Sequence, residues 1–341
     1  MIYTFNTPAA ILTGAGARFE LLNQVNRLKG KRALFVTDPY IKETGLLHPM
    51  TEQLMNAGID CRIFSGVQPD PTVENVNEGL KVLLEHKADI IIGVGGGSPI
   101  DAAKAISVLA TNPAPLSQYM GYHKIPAPGI PMIAIPTTAG TGSEATKVTV
   151  ITDTERNVKM MIFDAHLLPA VALVDYELSM SMPPSLTAYV GVDTLTHGIE
   201  AYVSQKANAL TDPIALSCIE LVAKHLYKAW ADPKNREARE GMSIAACQGG
   251  MAFTNSSVCL VHGMSRPLGV QFHLPHGLSN AVLLPAVTRF SIPGAIEKYA
   301  IVARKMGLAK TEESDEIASR ALIKGLEQLN TGMLLPLNYL G

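Results

Sequence analysis

Four residues of the sequence have the types and spacing to hold a metal ion. Asp193 and His197 lie four apart in Gly191-Val192-Asp193-Thr194-Leu195-Thr196-His197, and His262 and His276 follow downstream. Residues four apart share a helix face, so Asp193 and His197 can grip one ion together. His262 and His276 would complete a set of three nitrogens and one oxygen. Such a set suits Fe²⁺, Zn²⁺, Mn²⁺ or Co²⁺ and excludes the thiolate-rich structural zinc class. A solitary histidine is more often a satisfied core residue, but an Asp-x3-His pair with two later histidines weakens that alternative. Of the nine histidines, His262, His273 and His276 crowd one short stretch. The four cysteines, Cys61, Cys218, Cys247 and Cys259, form no CxxC pair and read as buried thiols, Cys259 being close in sequence to His262.

A second kind of chemistry lies upstream. The segment from Ile90 to Lys104 passes from an apolar strand through Gly95, Gly96 and Gly97 into a helix-like stretch. Glycines let the backbone approach an anion, Ser98 is placed to cap the helix, and Pro99 suits its first position. The helix N-terminus then favours a pyrophosphate. A tight turn without a ligand is the plainer reading. A second loop, Pro136 to Glu144, carries Thr137, Thr138, Thr141 and Ser143 and follows the next expected strand. Both loops should leave the carboxyl edge of one sheet, where open α/β sheets bind ligands. The usual dinucleotide fingerprint wants an acid after the glycines, whereas here the best acid precedes them. Asp38, after the strand Ala33 to Thr37, could accept hydrogen bonds from an adenosine ribose and repel a 2′-phosphate, favouring NAD. A helix cap or an Asp-Pro turn is the alternative for Asp38.

These residues need elements to hold them. Ala33–Thr37, Cys61–Phe64, Asp89–Val94, Met132–Ile135 and Val171–Val174 read as strands, and Val73–His86 and Pro99–Leu109 as crossover helices. That alternation predicts a parallel sheet with helices on both faces. Thr146–Thr152 and Val158–Phe163 predict a β-hairpin added to the sheet. After Met182-Pro183-Pro184 strand-like runs become scarce, so a helical domain is expected. The expected division is an α/β domain over residues 1–184 and a helical domain over 185–341, with a cleft between them. The 341 residues are 47% hydrophobic and 17% charged with a net charge of −2, which describes a compact chain with no steering field for nucleic acid. No apolar run is long enough for a membrane helix and the first residues lack a signal-peptide pattern, so a cytoplasmic address is expected.

The sequence resembles the iron-containing, or group III, alcohol dehydrogenases. The matching stretches are Pro69-Asp70-Pro71-Thr72, Gly95 to Asp101, Pro136 to Glu144, Gly191 to His197, and Val261-His262-Gly263-Met264 through Pro275-His276-Gly277. They occur in the family's order along nearly the whole chain. The resemblance implies a dehydroquinate synthase-like fold, an N-terminal dinucleotide-binding α/β domain with a parallel sheet, and an all-α C-terminal domain. It implies NAD and a divalent metal, Fe²⁺ before Zn²⁺, held by Asp193, His197, His262 and His276. Gly96, Gly97, Ser98, Asp101, Thr137, Thr138 and Lys159 match dinucleotide contacts, Asp38 matches the acid tied to NAD preference, and Phe253 matches an aromatic bordering the substrate. Implied with these are a small alcohol or aldehyde substrate, no membrane or nucleic-acid partner, and a homodimer or larger homo-oligomer. Two departures stand out. Where many members carry a histidine that helps position nicotinamide or relay protons, this chain has Arg266, which cannot shuttle a proton near neutral pH; His273 is the candidate substitute. The chain also stops at Gly341, before the family's last helices, so one wall of the site is expected to be missing. The rival readings are a glycerol dehydrogenase or dehydroquinate-synthase-like lyase, and a non-catalytic metal- and NAD-binding structural protein.

Overall fold

The structure, a computed structural model, describes residues 2–113, 115–272 and 274–338. Nine strands occur among them: β1 (Ala10–Thr13), β2 (Arg32–Val36), β3 (Asp60–Phe64), β4 (Ile90–Gly95), β5 (Gly121–Tyr122), β6 (Met132–Pro136), β7 (Val148–Asp153), β8 (Val158–Phe163) and β9 (Val171–Val174). The first α-helices are α1 (Leu21–Arg27), α2 (Pro39–Glu43), α3 (His48–Asn56), α4 (Val73–His86) and α5 (Gly97–Leu109). The later ones are α6 (Pro184–Val203), α7 (Thr211–Ala231), α8 (Arg236–Asn255), α9 (Leu260–Phe272), α10 (His276–Ser291), α11 (Ile296–Lys305) and α12 (Asp315–Gly332). The chain divides into two compact units. One comprises residues 6–138 and 143–178, the other residues 1–5, 139–142 and 179–341.

The first unit is built on a parallel six-stranded sheet in the order β1-β9-β6-β4-β2-β3. Its central strands are apolar at every position because both faces are covered. On one face Leu34, Val36, Ile91, Met132 and Ala134 meet Val76 and Leu83 of α4 and Ala102, Ala103 and Ile106 of α5. On the other, Phe35, Ile90, Ile92, Val94, Ile133, Ile135 and Leu173 meet Leu21 and Val25 of α1 and Met50 and Leu54 of α3. The doubly wound sheet is thus as the sequence implies. The hairpin is not. β7 and β8 do pair antiparallel, from Val148↔Phe163 to Asp153↔Val158, but they form a separate three-stranded sheet with β5. Alternation fixes which strands pair as a hairpin; it carries no information on which sheet receives them. β1 also escapes the sequence reading, being four residues long at the sheet edge beside β9.

The second unit is helical around one core. Val192, Leu195 and Ile199 of α6 pack with Ile219, Val222 and Leu226 of α7, Met242 and Ala245 of α8, and Leu284 and Val287 of α10. Helix α6 starts at Pro184, whose fixed φ and missing N–H suit a first turn, and it is buried along most of its length. No single helix among the described residues is long and apolar enough to cross a membrane.

Candidate metal centre and dinucleotide edge

In the helical unit the four residues singled out by spacing come from three helices. Asp193 and His197 lie one turn apart on α6, His262 lies in the first turn of α9, and His276 opens α10 with Pro275 as its N-cap. Asp193, His262 and His276 each offer a ligand atom within 4.8 Å of the others. Asp193 Oδ1 is 3.4 Å from His262 Nε2 and 3.8 Å from both His276 Nε2 and His197 Nε2. The rings of His197 and His262 stack with centroids 4.7 Å apart, and Phe253 covers the other side of His197 at 4.5 Å. Three of the four expected ligands thus converge, while His197 lies outside that trio and meets it at Asp193.

The electrostatics of this cluster fit a cation. Burial would raise the pKa of Asp193, but His197, His276 and His262 outweigh it and hold the carboxyl well below its usual range. Glu200 is buried too, yet its hydrogen bond to His262 keeps its pKa low. His197 is pushed down to about 4, first by burial and then by the neighbouring imidazoles against the pull of Asp193. Burial also works to lower His262, but its bonds to Asp193 and Glu200 prevail and raise it to about 9. Two anionic carboxylates inside a helical core call for compensating positive charge. Three imidazoles beside them make a donor set suited to a borderline divalent metal.

Two residues of this centre were missed by the sequence reading. Asn280 stands one turn after His276 on α10, and its Nδ2 donates to Asp193 Oδ1 at 2.6 Å while lying 3.2 Å from both His262 Nε2 and His276 Nε2. Glu200 follows His197 by three residues, and its Oε2 lies 2.6 Å from His262 Nδ1. The signal that could have found both is the one used for Asp193 and His197, since i,i+3 and i,i+4 neighbours share a face. Arg266, one turn after His262 on α9, is half-buried. His273 lies outside the described residues. The thiol pKa of Cys259 is pushed up to about 11, by burial first and by Glu200 next, and its Sγ sits 3.4 Å from the Glu200 carbonyl oxygen.

In the α/β unit the candidate dinucleotide residues gather at the carboxyl ends of three adjacent strands. Asp38 follows β2, Gly96 to Ser98 follow β4, and Thr137 and Thr138 follow β6, with Thr137 N donating to Gly95 O at 2.9 Å. Ser98 is not the cap expected of it. Helix α5 already begins at Gly97, with extended Gly96 as its N-cap and no side chain accepting from the first turn. The cause is Gly95, at φ +149°, where a Cβ would sit 2.5 Å from the ring of Pro99. Ser98 and Pro99 become the second and third helical residues, and the first-turn N–H groups are left for an anion.

Other candidates are already engaged. Asp38 Oδ1 caps α2 by accepting from Ile41 N at 2.8 Å, so the cap reading holds and one carboxylate oxygen is left over. Lys159 Nζ donates to Asp70 at 2.7 Å. Asp101 and Ser143 turn inward: Ser143 Oγ donates to Asp101 Oδ1 at 2.6 Å and accepts from Lys104 Nζ at 2.9 Å, while Val150 N donates to Asp101 Oδ2. Thr141 belongs to Ala139–Gly142, the stretch of the second loop counted with the helical unit. There Gly140 O accepts from Thr194 Oγ1 on α6, and Gly142, at φ +62°, lies against Gly250 of α8 so closely that a Cβ would meet the Gly250 Cα at 2.7 Å.

Comparison with known proteins identifies the family. Residues 8–176 match the family described as iron-containing alcohol dehydrogenase, and residues 187–339 match the C-terminal part described for the Fe-containing alcohol dehydrogenase family. The chain is 38% identical to the NAD-dependent methanol dehydrogenase of Bacillus methanolicus, over 98% of this chain and 88% of that protein. It is 40% identical to the lactaldehyde reductase of Escherichia coli K12, over 95% and 85% respectively. A crystal structure of a 1,3-propanediol oxidoreductase superposes with a TM-score of 0.96 at 39% identity, over 98% of this chain and 88% of that one. With the parallel sheet, the helical unit and the Asp193-centred cluster in place, the chain belongs to the iron-containing alcohol dehydrogenase family.

Proposed function

We propose that this protein interconverts small primary alcohols or diols and their aldehydes with NAD⁺/NADH, using a divalent metal, iron first. The observation that carries the reading is the convergence of Asp193, His262 and His276 on one point of the helical unit. The relatives named as NAD-dependent methanol dehydrogenase and lactaldehyde reductase support both the cofactor and the substrate class.

When bound, the metal supplies Lewis acidity toward an alcohol or carbonyl oxygen and the nicotinamide supplies the hydride acceptor or donor. The chain supplies placement. Asp193 and the imidazoles of His197, His262 and His276 would hold the cation, one carboxylate oxygen and three ring nitrogens serving as donors. Phe253, stacked on His197, holds that ring and offers an apolar surface to the carbon chain of a substrate. In the α/β unit the first turn of α5 and the Gly95–Gly97 turn would bind pyrophosphate through backbone N–H groups. The second carboxylate oxygen of Asp38 would accept from a ribose hydroxyl, and the Thr137 and Thr138 hydroxyls and Lys159 would complete the dinucleotide contacts. Asp101 and Ser143 support that site through their buried link to Lys104. The protein works in the cytoplasm as a homodimer or larger homo-oligomer.

The test is metal analysis of the purified protein followed by assay of alcohols and diols of two to four carbons with NAD⁺, read as NADH absorbance. Turnover that is abolished by a chelator and restored by Fe²⁺ or Zn²⁺ is expected. Stoichiometric NAD binding with no metal-dependent turnover on any member of the panel would refute the reading.

A further inference from the structure

Glu200 is held in a way that the four ligands alone do not require. It lies on α6 seven residues after Asp193 and three after His197, on the same helical face, and is 3% exposed. Its Oε1 accepts from the backbone N–H of Val261 at 2.6 Å, and its Oε2 lies 2.6 Å from His262 Nδ1. One carboxylate thus grips both the opening backbone of α9 and the ring of the ligand that α9 carries. An ionised carboxylate can only accept, so the proton between Glu200 and His262 belongs on Nδ1. Nε2, the atom that faces Asp193 Oδ1 and belongs to the ligand trio, is then the nitrogen that gives up its proton to a cation and offers it a lone pair. His197 offers the contrast: its Nδ1 is buried and has no hydrogen-bond partner among the described residues.

We propose that Glu200 is a positioning residue that locks His262 in the Nδ1–H tautomer and so presents Nε2 to the divalent cation. The inference rests on the reading of Asp193, His197, His262 and His276 as cation ligands. It assigns unequal parts to the two buried imidazoles. His262 is preset by a carboxylate partner, whereas His197 is placed by its helix and by the stacked ring of Phe253. The pattern is a metal-ligating histidine whose other ring nitrogen is fixed by an acceptor, a contact whose loss costs roughly 10- to 100-fold in metal affinity.

Glu200→Gln tests the idea because it keeps the volume and inverts the hydrogen bond. The amide oxygen satisfies Val261 N–H, which turns the NH₂ toward His262 Nδ1. That makes Nδ1 the acceptor and puts the ring proton on Nε2, where it blocks ligation. Glu200→Asp shortens the side chain but remains an acceptor. Each metal-stripped full-length protein is titrated with Co²⁺ against a chromophoric chelator, and NAD affinity is measured alongside. The expected result is one Co²⁺ per wild-type chain, a dissociation constant raised about 10- to 100-fold in Glu200→Gln, and an intermediate value in Glu200→Asp, with NAD affinity unchanged. Equal Co²⁺ affinity in the wild type and Glu200→Gln, within about threefold, overturns the inference while leaving the ligand set standing. So does Glu200→Asp binding more weakly than Glu200→Gln, because packing and not tautomer would then be the cause. If the wild type itself takes up no Co²⁺, the ligand reading fails, and the role of Glu200 fails with it.

Discussion

Removing one imidazole from the centre separates the two binding functions of the chain. His276→Ala or His262→Ala deletes a ligand from the trio around Asp193, so metal content should fall well below one per chain and turnover with it. Dinucleotide affinity should stay within about twofold, since the glycine loop and Asp38 belong to the α/β unit. Retention of stoichiometric metal in both variants would remove the centre from consideration. Asp38 supports a second test. Only Oδ1 is committed to the cap of α2, and a carboxylate facing a 2′-phosphate costs electrostatic and desolvation energy. Asp38→Gly should therefore raise kcat/KM with NADP relative to NAD, and an unchanged ratio would leave Asp38 as a cap alone. At this scale the sequence disclosed residues whose role follows from helical period, and Asp193 and His197 meet because 3.6 residues make a turn. It did not disclose direction: Asp101 and Ser143 sit in the glycine-rich motifs, yet their side chains turn to Lys104, and only packing decides that.

At the scale of elements, the cluster under α5 makes a measurable demand. Lys104 on α5 is fully enclosed and donates to Ser143 Oγ, Thr146 Oγ1 and the Val148 carbonyl. Burial lowers its pKa from 10.5 to about 8, partly offset by Asp101 and Glu144. Burial raises that of Glu144 from 4.5 to about 7. The folded state thus binds the Glu144 proton more tightly than the unfolded chain does. The stability this confers is complete below about pH 4.5 and is lost as pH rises through about 7. For Lys104 the sign is opposite: its contribution is present above about pH 10.5 and is lost as pH falls through about 8. Glu144→Gln removes the first of these losses. Its Tm relative to wild type should rise steadily between pH 5 and 8, by the equivalent of at most about 3 kcal/mol. Parallel Tm curves across that range would show that Glu144 does not titrate in the fold. Sequence periodicity located α5 and the strands around it well. What it could not supply was the start of α5, because a glycine with positive φ turns the chain two residues earlier than a serine cap would.

At the scale of the whole molecule, the chain passes between its two units at residues 5/6, 138/139, 142/143 and 178/179. The sequence reading placed one change of texture near residue 184, because composition registers long segments and a four-residue excursion leaves no compositional trace. That excursion, Ala139–Gly142, is held within the helical unit by Thr194 on α6 and by the bare backbone contact between Gly142 and Gly250. The helical unit is therefore not a contiguous piece of the gene product. A fragment of residues 179–341 expressed alone would lack part of its own interior. Val190, Thr194 and Gly250 would lose the strip of backbone they pack against. Such a fragment should be poorly soluble or melt well below the full chain, and a peptide of residues 137–144 added in trans should recover part of the difference. By the same logic, a protease cut at 178/179 in the intact protein yields a nicked chain and not two separable domains, since the larger upstream piece still carries the missing strip of the other.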